Sequence, residues 1–119
     1  SATLPRERVP ELFAELGHRA WRNALRAYLE ERRKSAPQLD PHACRLGEWL
    51  GNSRVVSMLG HREEFRRACE LHEQCHASAE RAVTCARVGR AEEGRSALDK
   101  AMGTSNQVLD LLKALRKRP

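Results

Sequence analysis

Cys69, His72, Cys75 and His76 fall within eight positions of the stretch RRACELHEQCHASAERAV, residues 66–83. Thiolates and imidazoles are the usual ligands of zinc and of other metals of intermediate softness. On a helix, His72 and His76 lie four residues apart and stand one above the other, whereas Cys75 points elsewhere. Two imidazoles do not close a tetrahedral shell, so other segments must contribute. Cys69 shares the face of His72, and spacing alone allows a Cys69, His72, His76 set. Further away, His18 and Cys44 are the other residues whose chemistry and placement suit a metal.

These residues need helices to hold them, and the hydrophobic pattern predicts four. The first runs from about Val9 to Lys34, with Ala14, His18, Trp21, Leu25 and Tyr28 spaced along one face. Pro37 and Pro41 interrupt the pattern. Asp40 as N-cap and Pro41 in the first turn start a shorter second helix, Pro41 to Leu50, which stops at Gly51-Asn52-Ser53. A short apolar connection, RVVSMLG, leads to the third helix, His61 to Val88. Its face carries Phe65, Cys69, His72, His76, Ala79, Val83 and Ala86, and Gly89 ends it. The fourth, Arg90 to Arg116, turns Ala91, Gly94, Leu98, Ala101, Ser105, Val108, Leu112 and Leu115 inward. The expected fold is all-α, an antiparallel four-helix bundle with one shorter helix and a zinc site in its interior. The bundle covers residues 9–116, behind a disordered N-terminal segment, residues 1–8.

Within that bundle His18, His72 and His76 converge on one interior from two helices. Three buried imidazoles are costly unless each finds a hydrogen bond or a metal. Cys44 falls in the first turn of the second helix, where the positive helix end favours the thiolate. Leu46, Trp49 and Leu50 dock that helix and aim Cys44 inward.

Composition narrows the function classes. The chain has 119 residues, 40% hydrophobic and 32% charged, with only 4% aromatics, which suits a helical bundle better than a β-sandwich. No apolar run approaches the roughly 18 residues of a membrane span. The net charge of +6 permits an acidic partner without requiring one. Cys44, Cys69, Cys75 and Cys85 do not form the framework of a stapled secreted domain, so a reducing, cytoplasmic setting is expected. Cys69, Cys75 and Cys85 read as inert small side chains, and His42 and His61 as exposed.

Three motifs in order, H-x-x-W at His18 to Trp21, C-x-L-G-x-W at Cys44 to Trp49 and H-x-x-x-H at His72 to His76, resemble the chemoreceptor zinc-binding domain family. The resemblance extends from about Glu11 to Leu115. It implies one zinc held by His18, Cys44, His72 and His76, with Trp21 and Trp49 packing around the site and Gly47 allowing close helix contact. It also implies a homodimer and a regulatory role in chemotaxis receptors or diguanylate cyclases, with that output domain in cis or in trans.

A closed shell of three histidines and one cysteine leaves no open coordination position, and no general-base carboxylate sits at a recognisable offset. The expectation is therefore a sensor, not an enzyme, responding to zinc availability or to oxidants such as hypochlorous acid at Cys44. The alternative is a metal-free basic helical module that binds an acidic partner or nucleic acid through REEFRR and LRKRP, a weaker reading because charged runs commonly form solvated helix faces.

Overall fold

The computed structural model describes residues 8–117, with side chains from residue 11 onward. The segment expected to be disordered, residues 1–8, lies outside the described residues except for Arg8, which opens the first helix. Among the described residues the structure is all-helical: α1 (Arg8–Leu29), α2 (Arg45–Leu50), α3 (Ser53–Leu59), α4 (Glu63–Arg87) and α5 (Ala91–Arg116). Three long helices and two short ones thus replace the four expected.

The extra helix is α3, where a plain connection was expected. The Asn52 side chain caps it, accepting from the backbone N–H of Arg54 and Val55 at 3.0 and 3.3 Å. Asn52 therefore starts a helix where Gly51-Asn52-Ser53 was read only as a stop. The first helix ends earlier than expected because Glu31 adopts a left-handed conformation, φ 61°. Arg32 N–H then bonds back to the Ala27 carbonyl at 2.8 Å and satisfies the helix end. At the end of α4, Gly89 takes the same left-handed turn at φ 77°, and Arg90 N–H reaches the Cys85 carbonyl at 2.9 Å. Here the glycine signal for termination held.

The three-residue turn after α4 folds α5 back along it, and these two helices make the most extensive contact in the molecule. The register of α1 follows from its partners. His18 meets His72, Trp21 stacks on His76, and the Tyr28 hydroxyl accepts from Arg87 Nε at 3.3 Å. These pairs advance together, so α1 runs alongside α4 in the same sense. Against α5 the pairs run in opposite order, Glu15 with Arg116 and His18 with Ser105.

The apolar faces of these helices form two clusters that bracket the histidines. One joins Ala14, Cys44, Leu46, Trp49, Leu50, Phe65 and Leu71 to the C-terminal half of α5. The other joins Trp21, Leu25, Cys75, Ala79 and Val83 to Ala101 and Met102. Most predicted inward positions are buried, but Ala86 and Ala91 are exposed, lying beside the α4–α5 turn where no neighbour covers them. Leu109 is 7% exposed, and Leu111 packs partly against the same core.

Candidate metal centre

Cys44 does not lie in the first turn of α2. It is the N-cap, with extended backbone (φ −82°, ψ 160°), and its Sγ accepts the Gly47 N–H at 3.3 Å. The chain makes a turn through residues 41–43 first: Asp40 Oδ1 accepts from His42 N–H at 2.8 Å, and Ala43 N–H bonds the Asp40 carbonyl at 3.2 Å. Asp40 and Pro41 therefore organise a turn before the helix and not the helix itself. Gly47 packs on that turn. A Cβ at this position would lie 1.6 Å from the Pro41 carbonyl oxygen, so the small residue serves contact with the turn, not with another helix as expected.

Leu46, Trp49 and Leu50 are buried and hold α2 against the core. Cys44 Sγ consequently comes to 3.2 Å from His72 Nε2. Cys44, His72 and His76, all buried, offer ligand atoms that lie within 4.8 Å of one another. Two ligands sharing one zinc, at about 2.3 Å for sulfur and about 2.0 Å for nitrogen, would stand roughly 3.5 Å apart in tetrahedral geometry. The spacing of this group is compatible with a single ion.

His18 stands beside this group and outside it. Its ring is 6.0 Å from that of His72 and stacks with Trp21 at 5.6 Å. Its Nε2 lies 2.7 Å from Ser105 Oγ, a buried contact between α1 and α5, while Nδ1 is buried without a hydrogen-bond partner. His76 shows the same division. Its Nδ1 donates to the Leu39 carbonyl at 2.9 Å, and Nε2 is buried with no partner. Imidazoles that ligate metals commonly donate their remote N–H in this way, which leaves the other lone pair for the ion. The fit to a soft divalent cation thus rests on two orphaned imidazole nitrogens and a buried thiol beside a third imidazole.

The electrostatics of the metal-free site are those of neutral groups. Burial, aided by the neighbouring His76, Arg22 and Arg19, lowers the His18 pKa to about 3. Burial together with His76, His18 and His42 does the same to His72, again to about 3. Burial also lowers His76, partly opposed by its bond to Leu39. The Cys44 thiol is raised, because loss of solvent outweighs the stabilising backbone N–H groups of α2. The expected lowering by the helix end is therefore reversed in the metal-free protein. A bound divalent cation acts in the opposite direction and deprotonates a coordinating thiol.

The remaining soft side chains sort differently from their helical spacing. Cys75 is fully buried, its Sγ donating to the Ala101 carbonyl at 3.3 Å, with burial pushing its pKa up to about 12. Cys69, assigned to the inward face, is only half-buried at the edge of the core. His42 and His61 are exposed as expected, and His42 Nε2 lies 3.6 Å from Glu73 Oε1. Trp21 packs on the site, stacking on His76 at 4.5 Å with its Nε1 donating to the Gln38 carbonyl at 2.7 Å. Trp49 instead meets Phe65 in the adjoining core, 6.2 Å between rings. The sequence places Ser105 inward but shows neither its contact with His18 nor that of the Leu39 carbonyl with His76. Ser105 carried one usable signal, a hydroxyl on an otherwise apolar stripe. A backbone carbonyl in a loop carries none.

Comparison with curated proteins and with solved structures gives no match. The family model described as the chemoreceptor zinc-binding domain matches residues 18–83, a span that opens on His18 and includes Cys44, His72 and His76. That match covers more than half of the 119 residues, and the chain belongs to the chemoreceptor zinc-binding domain family.

Proposed function

We propose that this chain is a regulatory module that holds one zinc ion through His18, Cys44, His72 and His76. The observation that carries the reading is the buried group of Cys44, His72 and His76, drawn from α2's N-cap and two turns of α4. When bound, zinc supplies a cross-link and keeps Cys44 as a thiolate. The protein's own part is to fix the donors: α4 sets two imidazoles one turn apart, meeting edge to face, the turn at residues 41–43 presents the thiol, and α1 brings His18 alongside. Three histidines and a cysteine complete a four-coordinate shell, which favours a structural or sensing role over hydrolysis, and we assign no catalytic step to the chain.

Release of Cys44 is the proposed signal. Hypochlorous acid would take two electrons from the Cys44 sulfur, leaving a sulfenic acid and chloride, and a sulfenic acid is a poorer ligand than a thiolate. The short α2 is held by Leu46, Trp49, Leu50 and this site, so weakening one anchor changes its docking. Loss of zinc acts on the same anchor. We read the arrangement as an up-and-down bundle in which α2 and α3 together take the place of the fourth helix, in line with the opposed sense of α1 and α5. The further proposal is a cytoplasmic homodimer that regulates a chemotaxis receptor or a diguanylate cyclase. Four free cysteines and the exposed apolar side chains Phe13, Leu16, Val56 and Met58 support it. No described helix is long and apolar enough to cross a membrane.

Metal analysis of the purified protein tests the centre directly. Wild type should carry close to one zinc per chain, and Cys44→Ala should lose it far more readily than Cys69→Ala. A greater loss from Cys69→Ala would refute the ligand assignment. If neither zinc removal nor oxidant changes helix content or Cys44 accessibility, the site is structural and the sensing role fails.

A further inference from the structure

We infer that Ser105 is a positioning residue of the metal centre, holding His18 from α5 in the tautomer that leaves Nδ1 free to bind metal. The inference rests on reading His18 as a ligand. His18 Nε2 lies 2.7 Å from Ser105 Oγ, and both residues are buried, at 2% and 0% exposure. His18 Nδ1 is buried with no hydrogen-bond partner. A neutral imidazole has one N–H and one lone pair, so only two arrangements exist. With the proton on Nδ1, a buried N–H would lack an acceptor, a costly state. With the proton on Nε2, the N–H donates to Ser105 Oγ, and Nδ1 presents a lone pair that only an incoming donor or a metal can use.

His76 provides an internal comparison. Its Nδ1 faces the Leu39 carbonyl, which can only accept, so the proton is on Nδ1 and Nε2 is the free nitrogen. Ser105 does for His18, from a side chain, what the Leu39 backbone does for His76. The consequence extends beyond affinity. α5 contributes none of the four proposed ligands, so the His18–Ser105 bond ties the state of the centre to the helix that packs along the whole of α4. A change at His18 is felt by α5 through that contact.

The test compares wild type, Ser105→Ala, His18→Ala and the double variant by zinc competition against a chromophoric chelator. Long-range 1H–15N NMR of zinc-free wild type locates the His18 proton. Ser105→Ala should weaken zinc binding by about 10–100-fold, yet cost nothing further in the His18→Ala background, and the proton should be on Nε2. Unchanged zinc affinity in Ser105→Ala overturns the inference. An equal loss with or without His18 does so as well, since it marks a general packing effect, as does a proton on Nδ1. If wild type takes up no zinc, the metal-centre reading itself falls. The proton position in the zinc-free protein still decides whether Ser105 sets the His18 tautomer, even if Ser105→Ala fails to fold.

Discussion

Gly47→Ala is the smallest change that should dismantle the site without touching a ligand. The new Cβ would lie 1.6 Å from the Pro41 carbonyl oxygen, 2.8 Å from the Pro41 carbonyl carbon and 3.3 Å from His42 Cα. All three are backbone atoms, so no rotamer change relieves the overlap. Bringing the oxygen out to 3.0 Å, the lower limit of real contacts, requires α2 and the turn before it to separate by about 1.4 Å. Cys44 lies at that junction, bonded to Gly47 N–H at 3.3 Å and standing 3.2 Å from His72 Nε2. Metal–ligand distances tolerate only about 0.2 Å. Gly47→Ala should therefore lower zinc affinity by roughly 100-fold or more and destabilise the zinc-free protein by about 1–3 kcal/mol. Gly103→Ala is the matched control. A Cβ there meets nothing within 4 Å, and the exposed position inside α5 should gain about 0.5–1 kcal/mol. Chelator competition and urea denaturation measure both quantities. A Gly47→Ala protein with wild-type zinc affinity would refute the placement of Cys44 by this turn.

Three further outcomes follow from the described geometry. In zinc-free protein His18 and His72 stay neutral down to about pH 3, whereas the unfolded chain protonates them near the ordinary 6.5. The unfolded state thus binds more protons between these values. Stability is full above pH 6.5 and falls toward pH 3, by about 1.4 kcal/mol per pH unit for each histidine within that window; urea melts from pH 7.5 to 5 would show no slope if these imidazoles were exposed. Arg116→Ala leaves the buried Glu15 carboxylate without its α5 partner, though Arg19 remains 3.3 Å away. The expected loss is about 1–3 kcal/mol, with zinc affinity unchanged, and a melt equal to wild type would remove this pair from the account of stability. Under native conditions Cys69 should react with iodoacetamide before Cys75, which is fully buried with its thiol pushed up to about 12. Mass mapping that finds Cys75 labelled first would contradict the packing of α4 on α5.

The sequence alone carried the long helices and the helix face on which each imidazole lies. Both follow from local periodicity: a face repeating every three to four residues places Ala14, His18, Trp21 and Leu25 together, and His72 above His76, whatever the chain does elsewhere. Gly89 was legible for the same reason, since a helix end is a local event. Where local signals competed, only the folded chain chose. Asp40-Pro41 could open a helix or a turn, and packing of Gly47 on the Pro41 carbonyl made it a turn, with Cys44 as the cap. Cys75 is about a quarter of a turn around the helix from His76 and reads as off the face, yet α5 covers that flank and buries it completely. The Cys44 thiol illustrates the general limit. Its helix position argued for a lowered pKa, but desolvation depends on what surrounds it in three dimensions, and loss of solvent is the larger effect. The contacts that set imidazole tautomers, Ser105 from α5 and the Leu39 carbonyl from a loop, lie 87 and 37 residues away along the chain from the rings they hold. No periodicity encodes such pairs, because they exist only once the helices have packed.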